Sequence, residues 1–174
     1  MDPKPVAESQ VLLAHWMGPI DANGSGNIHG GVIMRLVDEA AGLAALKHAR
    51  QRVVTAGMDR VAFLVPIFVT ELVTFKAMVN AAWRSSMEVG VRVETENPST
   101  GTVRHSNTAY LTFVAIDEQG LPAAVPPAVA TTAIERRRMS EADLRRTNRL
   151  AERQQIIARR AEEKLPTGSP GGEP

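Results

Sequence analysis

The sequence has no cysteine. Disulfides, thiolate nucleophiles and cysteine-based zinc sites are therefore excluded, and the composition suits a reducing compartment. Aromatic residues are nearly as scarce, with one Tyr, two Trp and four Phe in 174 residues. The core has to be assembled from Val, Ile, Leu, Met and Ala. No run approaches the roughly 20 apolar residues of a membrane span. The start, Met1 to Glu8, lacks a basic segment followed by an apolar one, so no leader is expected and the predicted location is cytoplasmic. Nor does one sign of charge dominate: the net charge is +1. Residues 1–130 carry ten basic and twelve acidic side chains, and residues 131–164 carry ten basic and six acidic. The basic charge belongs to a C-terminal extension.

What is present centres on residues 21–50. Asp21-Ala-Asn-Gly-Ser-Gly-Asn-Ile-His-Gly-Gly is a loop by its glycine content, and an apolar segment follows from about Gly30 to Arg50. That segment is apolar almost all round, which predicts a buried helix. Lys47, His48 and Arg50 fall in its last turn, where cations suit the dipole. Before the loop, Ser9 to Trp16 predicts a strand that ends at Gly18-Pro19.

Strand patterns follow the helix. Arg52 to Phe63 is β-branched, and Pro66 interrupts it. Glu71 to Trp83 alternates, and Arg84-Ser85-Ser86 is a turn. Met87 to Glu96 places apolar residues at 87, 89, 91 and 93, the mark of a half-buried strand. Arg104 to Ile116 is the last strand. Four consecutive strands with tight turns imply an antiparallel sheet. The predicted class is α+β: an antiparallel five-stranded sheet wrapped around one long central helix, the hotdog arrangement, with a C-terminal helical extension. Full apolarity of a lone helix also predicts that a second copy helps to cover it. The domain is set at residues 1–125 and a Pro/Ala-rich linker at 126–139. A charged helix is expected over 140–165, opened by a capping box at Ser140 and Asp143, and a disordered tail over 166–174. Its apolar positions are too sparse for a coiled-coil seam, so a solvated helix lying along the domain or a neighbouring subunit is expected.

Several chemistries are weighed on these residues. Gly24-Ser-Gly-Asn-Ile-His has His29 where a dinucleotide fingerprint needs its third glycine, and no parallel βαβ unit surrounds it. The glycines otherwise serve turns or leave bare amides at a helix start, around Gly30 and Gly31, able to hold a phosphate or polarise a carbonyl. Glu39 has Arg35 one turn before it. Asp38 has less local compensation, so it pairs with Arg35 or Arg60, reaches solvent, or acts as a general base in an apolar crevice. His29 is a base or a ligand by type. The histidines at 15, 29, 48 and 105 show no metal-ligand spacing, so no metal is expected, and His15, His48 and His105 read as surface or structural. No Gly-X-Ser-X-Gly elbow is present. The arginine-rich extension mixes both signs of charge, so a nucleic-acid partner is not expected.

The run Asp21 to Gly42 resembles the signature of the acyl-CoA thioester hydrolases of the hotdog superfamily. Arg52-Val-Val-Thr, Phe63-Leu-Val-Pro, Ser86-Met-Glu-Val-Gly-Val and Ala109-Tyr-Leu-Thr-Phe-Val-Ala-Ile-Asp are similar to further family motifs, in family order, over about residues 8–125. The extension resembles the charged tail of the brain-type acyl-CoA hydrolases. The resemblance implies hydrolysis of acyl-CoA to fatty acid and CoA, with no cofactor beyond the CoA of substrate and product. It implies a site in which Asn23 and Asp38 meet across a dimer interface, with the Gly31 amide, or that of Gly30, as oxyanion donor. Asp38 then acts as base on water or attacks directly. Arg60, Arg84, Ser85, Ser86 and Arg104 are candidates for the CoA moiety, and Met34, Val37, Ala41 and Met58 for the acyl tunnel. Some relatives carry Phe at the position of His29, so the imidazole is not required by the resemblance. A homodimer assembling to a trimer of dimers is implied, and a nucleotide regulator is left open. The alternatives are a non-catalytic acyl-CoA sensor and a hotdog hydratase or dehydratase.

Overall fold

A computed structural model describes residues 1–163; the tail expected over 166–174 lies outside the described residues. The chain opens with a two-residue strand β1 (Lys4–Pro5), a 3-10 turn and β2 (Val11–Trp16). The helix α1 follows at Gly30–Ala49, then β3 (Val53–Met58), β4 (Leu72–Ala82), β5 (Ser86–Asn97) and β6 (Thr102–Ala115). Strand β7 (Ala128–Val129) pairs in parallel with β1, and α2 (Ala133–Glu163) closes the described chain. The main sheet is antiparallel throughout, in the order β2-β4-β5-β6-β3. The five-stranded sheet around a central helix is therefore the arrangement predicted from the strand order.

Alternation sets the sheet's inner face. Val73, Phe75, Ala77 and Val79 of β4 point inward, with Met87, Val89, Val91 and Val93 of β5 and Ala109, Leu111, Phe113 and Ala115 of β6. They meet Ile33, Leu36, Val37, Ala40, Ala41, Ala44 and Ala45 of α1. The alanines keep this side of the helix slim, so the sheet can curl close around it. The opposite side is not buried within one chain. Met34, Leu43 and Leu46 stay 43–45% exposed beside Arg35, Glu39 and the partly exposed Asp38. Five strands reach around most of a helix but not all of it, and the stripe left exposed in one chain is where the expected second copy would lie.

The C-terminal helix departs further from expectation. It begins at Ala133, seven residues before the predicted start. The operative capping box is Thr132 with Glu135. Glu135 Oε2 accepts from the Thr132 amide at 3.0 Å, and Thr132 Oγ1 accepts from the Glu135 amide at 3.2 Å. These backbone hydrogen bonds, with that from Thr131, hold the Glu135 carboxyl below its usual range. Ser140 and Asp143 are interior helix residues, so the extended part of the predicted 126–139 linker stops before Ala133.

Nor is α2 merely solvated. Its first half lies on the outer face of the sheet over Glu88, a carboxylate with no exposed surface. Arg145 donates to Glu88 at 2.6 Å and stacks on Tyr110 at 3.6 Å. Arg149 bridges Glu88 at 3.2 Å and Asp59 at 2.7 Å. Trp83 donates to Asp143 at 3.0 Å, and Arg146 lies over its ring. From Ala151 to Ala161 the helix is exposed throughout. A buried carboxylate that loses its cations, or cations that lose their carboxylate, is costly. Glu88→Ala is expected to destabilise the protein by about 3 kcal/mol in chemical denaturation, and to increase proteolytic cleavage within α2.

A second fastening closes the other end. His48 is buried at the C-terminus of α1, with Nε2 2.9 Å from the Pro126 carbonyl, while the His48 carbonyl accepts from Lys4 Nζ at 2.9 Å. His48 is thus structural, one of the two readings open from sequence. Burial pushes its pKa below the ordinary value of 6.5. The unfolded chain then takes up a proton that the native state refuses. Stability is complete above about pH 6.5 and falls as pH drops below it. Thermal melts from pH 8 to pH 5 are expected to show this loss, and His48→Gln to flatten it.

Candidate active site

The glycine-rich loop is held by its own backbone. The Asn23 amide donates to Asn27 O at 2.7 Å, Gly26 donates back to Asn23 O at 3.0 Å, and Gly26 sits at a φ of 81°. That positive φ is the reason for a glycine there. Asn23 Oδ1 accepts from the amides of Ser25 at 2.9 Å and Asn27 at 3.3 Å. With its oxygen spent on the loop, Asn23 presents only its Nδ2 hydrogens outward. The loop returns through the His29 amide, which donates to Asp21 O at 2.8 Å, directly before α1.

At the helix start Val32 N–H donates to His29 O at 2.9 Å and Gly31 N–H to the His29 ring, so among the first three amides that of Gly30 is the bare one. His29 is the N-cap, and its Nδ1 accepts from Gly31 N–H at 2.9 Å. Asn23 and Gly30 face a shared pocket of about 230 Å³, walled by Ile33, Phe63, Pro66 and Ile67. The donors Asn23 and Gly30 are therefore together, on one side of the chain.

Asp38 is elsewhere. It lies two turns along α1, roughly 12 Å on at 1.5 Å per residue, half-buried in a groove of about 450 Å³. Thr55, Val53, Gly42, Leu43, Leu46 and Phe113 form the groove. Asp38 pairs with neither candidate arginine: Arg35 takes Glu39 at 3.4 Å, and Arg60 takes Glu152 at 3.6 Å. Instead Thr55 Oγ1 donates to Asp38 Oδ1 at 2.8 Å. That fixes the carboxylate and leaves Oδ2 to the groove. Thr55 sits on β3, an edge strand, where the pairing with β6 slips between Thr55 and Gly57. Such a bulge re-aims side chains next to it.

The residues considered for CoA fall into separate places. Arg84 and Ser85 lie in the β4–β5 turn, whereas Ser86, expected in that turn, is the first residue of β5; Ser86, Val114 and Val54 share one row of the sheet, beside Thr55. Arg104 is at the other end, bound to Glu71, to Pro66 O at 3.2 Å, and over Phe68. Arg60 is almost fully exposed beside α2. Of the tunnel residues, Val37 and Ala41 are in the core, Met34 is exposed and Met58 faces a cleft under α2. None of the four lines the groove of Asp38, where Leu43, Leu46, Val53 and Phe113 stand instead. Thr55 was in view in Arg52-Val-Val-Thr, but its polar partner lies seventeen residues upstream, a pairing that spacing alone does not reveal.

The model of the thioesterase superfamily matches residues 25–114. The chain is 39% identical over 125 residues to the uncharacterized acyl-CoA thioester hydrolase YkhA of Bacillus subtilis, covering 72% of this chain and 73% of that one. It is 32% identical over 155 residues to the cytosolic acyl coenzyme A thioester hydrolase of Rattus norvegicus, covering 88% of this chain; it spans about two fifths of that longer protein. An apo-hexameric acyl-CoA thioesterase superposes with a TM-score of 0.84 at 36% identity, over 87% of this chain and 97% of that one. The acyl-CoA hydrolase of Staphylococcus aureus, solved with butyryl coenzyme A and coenzyme A, gives 0.83 at 34% identity, over 93% and 98%. That enzyme has also been solved with alanine in place of an asparagine, an aspartate and a threonine. The three are fifteen and then seventeen positions apart, the intervals that separate Asn23, Asp38 and Thr55 here.

Proposed function

The chain belongs to the thioesterase superfamily and is an acyl-CoA thioester hydrolase, and we propose that it works through Asp38 as general base at a site completed by a second subunit. The observation that carries this reading is the separation of the two half-sites. Within one chain Asn23 and Gly30 line one pocket, and Asp38 and Thr55 line another. The exposed stripe Met34, Glu39, Leu43 and Leu46, with the half-buried Asp38 among them and the edge strand β3 beside it, supports a second copy as its cover. A two-fold axis there faces the Asp38 groove of one chain with the Asn23 pocket of its partner, twice per dimer. Hexameric relatives support a trimer of such dimers.

In the proposed reaction Asp38 Oδ2 takes a proton from water as the water oxygen attacks the thioester carbonyl carbon. Thr55 holds Oδ1, so the carboxylate cannot rotate away from its task. The partner's loop supplies Asn23 Nδ2, a donor only, aimed at the water or the carbonyl oxygen. The Gly31 amide, or that of Gly30, stabilises the oxyanion at the helix start. The tetrahedral intermediate collapses by breaking the C–S bond. The thiolate is a good leaving group, so no strong acid is required. Arg84, Ser85 and Ser86, at the end of a sheet row that adjoins the row of Thr55, are proposed to receive CoA phosphates, together with the exposed Arg60. Arg104 is already committed to Glu71, which argues for a structural role in the Asn23 half rather than a phosphate contact.

Two outcomes are expected in steady-state hydrolysis of an acyl-CoA series. Asp38→Asn lowers kcat by about a hundredfold or more without changing the melting temperature. Thr55→Val, which keeps shape and removes the hydroxyl, lowers kcat while leaving KM nearly unchanged, because it disorders the base and not the substrate. Full hydrolysis by Asp38→Asn contradicts the base assignment.

A further inference from the structure

We propose that His29 is a proton-dependent gate on the Gly31 amide, one of the two amides proposed above for the oxyanion. The inference rests on the thioesterase reading and adds a control to it. Helix N-caps are usually filled by Ser, Thr, Asp or Asn, which remain acceptors at every pH near neutrality. Here the acceptor is an imidazole nitrogen, at 2.9 Å from Gly31 N. Nδ1 accepts only when it carries no proton. Once the ring is imidazolium, both nitrogens donate and the cap is lost.

The packing shows how closely ring and amide are matched. A Cβ at Gly31 would lie 3.0 Å from His29 Nδ1 and 3.2 Å from Cε1. A side chain at position 31 would therefore push the imidazole off the amide. Within its own chain His29 is otherwise exposed, so no neighbouring side chain locks the ring on the amide. The neutral ring and the substrate carbonyl oxygen compete for the same N–H. Protonation removes the competitor and places a cation beside the developing oxyanion.

Among the described residues of its own chain few other charges act on this ring; in the assembly proposed above, Asp38 of the partner subunit is the carboxylate that faces it. Asp21 accepts the His29 amide through its carbonyl, while its carboxylate is held by the Gly18 amide and faces His15 on β2 at 3.6 Å. The first turn of α1 holds no acidic residue, and Arg35 beyond it is paired with Glu39. Residues 61–70, which pass over the helix start through Phe63, carry no ionisable side chain. The gate turns on whether Nδ1 carries a proton, and imidazole is the side chain whose charge can change near neutrality.

The test compares kcat/KM for one acyl-CoA from pH 5.5 to 8.5 in the wild type, His29→Ala and His29→Asn. Removing the competing hydrogen bond should raise His29→Ala about two- to tenfold above wild type at pH 8.5, and the ratio should fall to one or below at pH 5.5, because alanine also lacks the cation. His29→Asn keeps an acceptor that does not titrate. It should match wild type at pH 8.5 and fall below it at pH 5.5. Effects of pH that are common to the three proteins cancel in these ratios. An independent readout is the Gly31 amide resonance in glycine-labelled protein without substrate, which should titrate in wild type and stay fixed in His29→Asn. Ratios that do not change with pH in an active enzyme, or a Gly31 resonance that does not move, overturn the gate alone. A wild type that hydrolyses no acyl-CoA at any pH overturns the parent reading and the gate together, even if the resonance titrates.

Discussion

A single helix inside a curled sheet must satisfy two demands at once. Toward the strands it has to be slim and apolar, and α1 meets that with Ala40, Ala41, Ala44 and Ala45 against the inner faces of β4, β5 and β6. Away from the strands it runs out of protein to pack on. Asp38 sits at that boundary, half in a groove and half toward the uncovered stripe. A carboxylate in the alanine strip would be buried without a partner and strongly disfavoured. Fully outside, it would be an ordinary solvated acid. The limit of what five strands can cover is what gives Asp38 a crevice on one side and an open face on the other.

The outer surface follows the same logic of burial and compensation. Glu88 points away from α1 and would be solvated in the bare sheet. With α2 laid across it, it has no exposed surface and is held by Arg145 and Arg149. Arg149 also reaches Asp59, just beyond the end of β3, the strand that carries Thr55. The helix that looked like an appendage thus braces the edge strand whose Thr55 hydroxyl holds Asp38. Burying one acid makes the basic character of residues 131–164 structural in part, which is a different use from binding nucleic acid.

Much of this was legible in the sequence, for physical reasons that can be named. Strict alternation from Met87 to Glu96 and tight turns on either side give an antiparallel sheet almost without ambiguity. A lone apolar helix among strands gives the central element. Asn23, Gly30, Gly31 and Asp38 were reached through glycine chemistry, an uncompensated carboxylate and a family signature. What was not legible depends on contacts between distant segments. Thr55 on Asp38 joins a strand to a helix, and Glu88 with Arg145 spans fifty-seven residues. The start of α2 was misplaced because Ser140 and Asp143 imitate a capping box, while Thr132 and Glu135 form one. The imidazole cap on Gly31 is invisible to pattern, since histidine is not a usual cap.

The central claim is that Asn23 of one subunit serves Asp38 of another. Mixing Asp38→Asn with Asn23→Ala protein, after dissociation and reassembly, tests it most directly. In a mixed dimer one of the two sites then carries both substitutions and the other carries neither. The account predicts that isolated mixed dimers regain about half the wild-type rate per dimer, although each parent is inactive. No recovery in mixed dimers of verified composition would contradict it, and would place Asn23 and Asp38 at the service of the same chain.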